Sequence, residues 1–162
     1  MKSGSSKKYV KPKKPTLVPG WVWGGLITGA ILIVLMAVNS VAFGLSSLTG
    51  GASLICYPIQ LMVYLINGLI SGSFEQKRYL NNKRLNPLTP KPNYLVVGAL
   101  GGLIVTIIAA IVYVIVSTAS VSLIPPAATL IGSTLPILIG IDAIAAIGLG
   151  AIGGFFYGRY FQ

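Results

Sequence analysis

The sequence predicts an all-α integral membrane protein with four transmembrane helices and both termini in the cytoplasm. Of its 162 residues, 54% are hydrophobic and only 9% are charged, whereas a soluble domain has about 25% charged residues. The charges are also confined to a few places. Apart from Asp142 and Arg159, they lie in the N-terminal tail and in one central segment, residues 74–93. Lipid is therefore the expected solvent of the apolar runs.

Four apolar runs are long enough to cross a bilayer, for which about 20 residues are needed. They are residues 21–45, 52–73, 94–117 and a stretch within 127–157. Short loops rich in Lys and Arg stay on the cytoplasmic side of a membrane. Four spans place the tail, the central segment and Arg159 together on that side, so the charge pattern sets the orientation.

This topology divides the chain into four parts. Residues 1–20 form a basic, disordered cytoplasmic tail, and residues 21–73 form the first helical hairpin. Residues 74–93 form a basic cytoplasmic loop, in which the second helix has room to extend through residues 75–84. Residues 94–162 form the second hairpin. Its last helix has two alternative starts: near Ala127 with a kink at Pro136, or near Ser133 with Pro136 in the first turn, where proline is tolerated.

The second and fourth runs resemble each other. Residues 57–59 match residues 135–137 around a shared proline, and residues 68–74 match residues 150–156. The similarity suggests two tandem hairpins of one orientation, related by an axis along the membrane normal. The alternative is that glycine-rich spans resemble one another without duplication.

Every predicted span carries small residues four positions apart. Such pairs let helix backbones approach closely in lipid. We predict helix packing at these positions, either inside the chain or, for the longest series on the fourth span, against another protein's helix. The residues are Gly25, Gly29, Gly68, Gly72, Gly98, Gly102, Ala146, Gly150, Gly154 and Gly158.

Asp142 is the one ionisable residue near mid-depth, and an acid inside a membrane is a functional candidate by default. The second span offers Gln60, Tyr64 and Asn67 at helical spacing as partners, followed by Ser71. Three roles for Asp142 stay open. They are structural hydrogen bonding between helices, contact with a partner subunit or bound lipid, and proton or cation coupling in a transporter.

Catalysis is not expected. The chain has no His, one Cys and two acidic residues, which leaves almost no acid–base, nucleophilic or metal chemistry. It also lacks a P-loop, a dinucleotide-binding glycine motif and a G-x-S-x-G motif. We therefore expect no cofactor and no metal.

The basic residues beside the spans are expected to contact anionic headgroups or an acidic partner surface, and nucleic acid is disfavoured. They are Lys7, Lys8, Lys11, Lys13, Lys14, Lys77, Arg78, Lys83 and Arg84. The expected protein is a small non-catalytic subunit of a prokaryotic plasma membrane that packs against a larger membrane complex or organises lipid. The alternative is a small transporter or channel, a dimer, with a polar path around Asp142.

Overall fold

The computed structural model contains four α-helices. They are α1 (Gly20–Ser46), α2 (Ser53–Leu85), α3 (Tyr94–Leu123) and α4 (Ala128–Tyr160). The structure describes residues 18–46, 53–123 and 128–161, and the side chains of residues 18–38, 58–115, 118, 136–137 and 139–161. The predicted all-helical fold is confirmed, since these residues contain no strand. The predicted tail residues 1–17 lie outside the described ranges.

Three of the helices are long and apolar enough to cross a membrane. The qualifying segments are Gly20–Val38 in α1, Tyr94–Ile115 in α3 and Ile139–Tyr160 in α4. The described part of α2 is not among them. Its length is sufficient, but Gln60, Asn67, Ser71 and Glu75 lower its mean hydropathy.

Two open points about helix ends are answered by the structure. Helix α2 continues beyond the apolar run to Leu85, as the predicted extension allowed. Helix α4 begins at Ala128 and contains Pro136, which agrees with the earlier of the two predicted starts. Helices in lipid tolerate an internal proline because neighbouring helices and side chains satisfy the freed backbone groups.

Among the described residues, every pair of helices is in contact except α1 and α4. Helices α2 and α3 therefore lie between the two outer ones. A two-fold axis that exchanges the hairpins would make the α1–α4 pair equivalent to the α2–α3 pair. Of these two pairs, α2 and α3 are in contact and α1 and α4 are not. The described packing therefore gives the predicted symmetric repeat no support.

The predicted small residues all lie where one helix meets another. Ala146, Gly150 and Gly154 of α4 face the backbones of α2 and α3, and a Cβ atom on Gly150 would lie only 2.6 Å from the carbonyl oxygen of Gly98. Real Cβ atoms do not come this close to other atoms. The remaining positions pack in the same way: Gly68 on α4, Gly98 and Gly102 on α4, Gly25 and Gly29 on α3, Gly72 on the Tyr157 ring and Gly158 on the Tyr94 ring.

Polar and apolar side chains are distributed opposite to those of a water-soluble protein. Large apolar side chains such as Val34, Met62, Ile115 and Ile144 are exposed. The buried set includes polar residues from three helices: Thr28, Gln60, Asn67, Ser71, Glu75 and Asp142. This distribution suits a bundle surrounded by lipid, in which polar groups must find partners inside the protein.

Replacing Gly150 by leucine should destabilise the bundle, because the added side chain meets the backbone of α3. Overpacking usually costs about 1–3 kcal/mol, and backbone atoms yield less than side chains do. The matched control is Gly148→Leu, since a Cβ atom on Gly148 meets no heavy atom within 4 Å. Thermal unfolding in detergent should show a lower midpoint for Gly150→Leu alone. Equal midpoints for the two variants would contradict the packing described.

Candidate functional site

Asp142 lies in the interior of the bundle and is bonded to α2. Its side chain is 5% exposed. The Nε2 atom of Gln60 is 3.0 Å from each of the two carboxylate oxygens. Both residues are buried, so the contact is shielded from lipid as well as from water. Two of the predicted intramembrane polar residues are thus brought together across the α2–α4 interface.

Two tyrosines complete this group. Gln60 Nε2 also donates to the Tyr64 hydroxyl at 2.6 Å. The side chains of Tyr64 and of Tyr113 of α3 lie beside the carboxylate of Asp142. We call Gln60, Tyr64, Tyr113 and Asp142 the polar cluster. It brings side chains of α2, α3 and α4 together around one carboxylate.

The spacing of polar residues on α2 explains how they reach the interior together. Gln60, Tyr64, Asn67, Ser71 and Glu75 are three or four residues apart, which places them on one face of a helix. All five are buried. We call them the polar stripe. It runs from the polar cluster towards the end of the bundle where α1 begins.

Asn67 is the predicted polar residue that does not join the polar cluster. Its Oδ1 atom accepts a long hydrogen bond from Ser71 at 3.4 Å, whereas its buried Nδ2 atom has no partner. The amide lies between glycines of α3 and α4, because a Cβ atom on Gly101 would be 3.1 Å from Nδ2 and one on Gly150 would be 3.4 Å from it. A buried donor without a partner costs about 1–3 kcal/mol, so the interior of the stripe is incompletely satisfied here.

Glu75 is a site residue that the sequence analysis did not single out. It is 6% exposed, and its Oε2 atom accepts a hydrogen bond of 2.6 Å from the backbone nitrogen of Gly20, the first residue of α1. Its Oε1 atom pairs with Arg78 at 2.6 Å. A carboxylate at a helix N-terminus satisfies a free N–H group and interacts favourably with the helix dipole. The available signal was a single acid within a run of cations.

The predicted basic residues of α2 lie just beyond Glu75. Lys77 and Lys83 lie over the rings of Phe74 and Tyr79, each with its ammonium 5.5 Å from the ring centroid. Arg84 is exposed. The predicted contact residues of the tail, Lys7, Lys8, Lys11, Lys13 and Lys14, lie outside the described residues.

The polar cluster has the chemistry of a polar contact that holds helices together. Its carboxylate is bonded through both oxygens to the amide of Gln60, and two tyrosine side chains lie beside it. Within the described residues there is no group of three or more His, Cys, Asp or Glu side chains that would hold a metal ion. The cluster can connect three helices, and a substitution of any member should alter the contacts of the others.

Comparisons with known proteins add no relative. No protein-family description, curated protein or solved structure matches the chain significantly.

The bond between Gln60 and Asp142 should appear as an energetic coupling. We expect the double change Gln60→Ala and Asp142→Ala to cost about 0.5–1 kcal/mol less than the sum of the single changes, because hydrogen bonds between membrane helices average about 0.6 kcal/mol in such cycles. The control pairs Thr28→Ala with Asp142→Ala, because Thr28 donates to Gly24 of its own helix. Unfolding free energies in micelles measure both pairs. Additivity in the first pair would show that the bond contributes nothing.

Removing Glu75 should loosen the start of α1. We expect Glu75→Ala to cost about 1–2 kcal/mol and to speed hydrogen exchange in the first turn of α1. Glu75→Gln is the control, since its side-chain oxygen still accepts from Gly20. Amide exchange read by mass spectrometry measures the effect. Unchanged protection of α1 in Glu75→Ala would contradict the assigned role.

Proposed function

We propose that the chain is a non-catalytic structural subunit of a cell membrane, to whose outer surface other components bind. In this proposal α2 is the fourth span, both termini are cytoplasmic, and the bundle packs against a larger membrane complex or organises lipid around it. The observation that supports it most is the closed polar cluster. Asp142 is buried and bonded within the chain, as expected of an acid that holds helices together.

Burial supports α2 as a span despite its low mean hydropathy. The mean hydropathy of a segment counts every polar residue equally, whether its side chain faces lipid or the bundle interior. The polar stripe is buried among the helices, whereas the exposed side chains Ile59, Met62 and Ile66 are apolar. Polar residues in membrane helices are found facing the bundle interior in this way.

The proposed interface is on a different face of α4 from the one that the sequence suggested. Ala146, Gly150 and Gly154 are occupied by α2 and α3 of the same chain. Two other glycines of α4, Gly140 and Gly148, are exposed and have no heavy atom within 4 Å of an added Cβ atom. Glycine costs a helix about 1 kcal/mol relative to alanine, and none of the described residues uses the space that it leaves. A helix of a partner subunit would use it.

One observation favours the alternative of a small transporter or channel. The Nδ2 atom of Asn67, a hydrogen-bond donor without a partner, lies on the polar stripe between the polar cluster and the end of the bundle where α1 begins. A transported proton or cation would need polar groups along such a line. The competing test is proton and cation flux into liposomes. Flux that is lost in Asp142→Asn would favour transport over a structural role.

The test of the structural role is extraction of native membranes in mild detergent, followed by sizing and mass spectrometry. We expect larger membrane proteins to co-migrate with this chain in a fixed ratio. Gly148→Leu should release them without lowering the unfolding midpoint of the bundle, because the substitution fills space outside it. A chain that migrates alone or as a homodimer would contradict the proposal.

A further inference from the structure

Three contacts mark the level at which the bundle ends on the side of the basic segments. Gly20 donates to Glu75, the Tyr94 hydroxyl donates to Gln76, and the rings of Tyr94 and Tyr157 have centroids 5.6 Å apart. The start of α1, the start of α3 and the end of α4 therefore lie beside residues 75–76 of α2. Tyrosines gather at the membrane interface, so this level corresponds to the headgroup region.

Within the described residues, α2 extends furthest past that level, to Leu85, whereas α4 ends at Tyr160. We call residues 77–93, which comprise the end of α2 and the segment leading to α3, the arm. From Gln76 to Leu85 the helix rises about 1.5 Å per residue, or roughly 13 Å in total. The headgroup layer is only about 5–8 Å thick on each side, and an ordinary helix tilt of about 20° shortens the rise little. The tip of the arm thus reaches beyond the lipid.

The arm is purely basic. It carries five cations and no acidic residue: Lys77, Arg78, Lys83, Arg84 and Lys91. Arg78 pairs with Glu75 at the foot of the arm, whereas Lys83 and Arg84 are exposed near its tip. A binding partner must therefore present negative charge.

Large apolar side chains accompany these cations. Leu80 and Leu85 are 48% and 44% exposed, and Leu88 is 89% exposed. Leu85 and Leu88, at the end of the helix and just beyond it, are out of reach of the acyl chains. A nucleic-acid backbone offers mainly phosphate and sugar contacts, whereas a protein surface can bury leucines beside its carboxylates. Charge and apolar exposure together favour a protein.

We propose that the arm is a docking site for an acidic face of a water-soluble cytoplasmic protein, which Lys83 and Arg84 bind through its carboxylates and Leu88 through apolar contact. The proposal rests on the orientation given under the proposed function and adds the class of the cytoplasmic partner. The basic residues expected to contact headgroups or a partner are thereby divided. Lys77 and Arg78 lie at headgroup level, and Lys83 and Arg84 lie above it.

The first experiment measures the height of the arm. Spin labels on Leu88→Cys and Lys77→Cys, each in a Cys56→Ser background, are compared in bilayers of phosphatidylcholine with and without phosphatidylglycerol. Collision rates with oxygen and with a water-soluble nickel complex report depth. We expect the label at 88 to be fully water-accessible in both bilayers and the label at 77 to be at headgroup depth. Insertion of the label at 88 into the anionic bilayer would assign the arm to lipid and overturn the proposal.

The second experiment measures binding to the full chain in neutral phosphatidylcholine nanodiscs. The probe is a fluorescent 20-residue helical peptide with glutamates and leucines on one face, and a 20-nucleotide oligouridine is the comparison. We expect Lys83→Glu with Arg84→Glu to weaken peptide binding about tenfold or more, and Leu88→Ser to weaken it about threefold. Arg159→Glu, a charge reversal at the level where the arm begins and not at its tip, should change it less than twofold.

Three results would overturn the proposal. The first is equal peptide affinity with and without the double charge reversal. The second is an effect of Arg159→Glu as large as that of the arm variants. The third is oligouridine binding that is tighter than peptide binding and unaffected by Leu88→Ser. The last result would assign the arm to nucleic acid. Both experiments use the chain without other subunits, so their failure is distinguishable from an absence of co-migrating membrane proteins.

Discussion

The close approach of α4 to α2 and α3 is the contact on which the other features of the bundle depend. In lipid, apolar side chains gain little by leaving their surroundings, so helices associate through close packing and through hydrogen bonds between polar groups. Glycines supply the first of these here, because Gly68 and Gly98 both meet the backbone of α4 at Gly150. Side chains at these positions would separate the helices and lengthen every polar contact between them.

The glycine contact also sets the register of the polar cluster. Gly68 meets Gly150, and Gln60 meets Asp142, so both pairs are separated by the same 82 positions in sequence. The two helices run parallel and stay in one register over the eight residues between these contacts, about 12 Å of helix. Packing therefore delivers the carboxylate to the amide. The bond from Gln60 in turn disfavours a slide of one helix along the other.

Residue type and spacing were enough to predict most of this arrangement. Small residues at intervals of four indicated the packed faces, and a single acid among apolar residues indicated that Asp142 needed partners on α2. Which partner it has depends on register, so the sequence could not separate Gln60, which bonds to it, from Asn67, which does not. Glu75 was missed for a related reason: its partner is a backbone N–H group, which carries no signal in the sequence.

The hydrogen bond between Gly20 and Glu75 has a consequence for the order of events during synthesis. Its two ends are 55 residues apart, and a ribosome adds about 5–20 residues per second. For roughly 3–11 s the first helix exists while the carboxylate that will cap it has not yet been made. During this interval the first amide of α1 must bond to another acceptor, such as water. The start of α1 becomes fixed only after Glu75 of α2 has been synthesised. The first hairpin, and not the first helix, is therefore the smallest unit with a defined boundary.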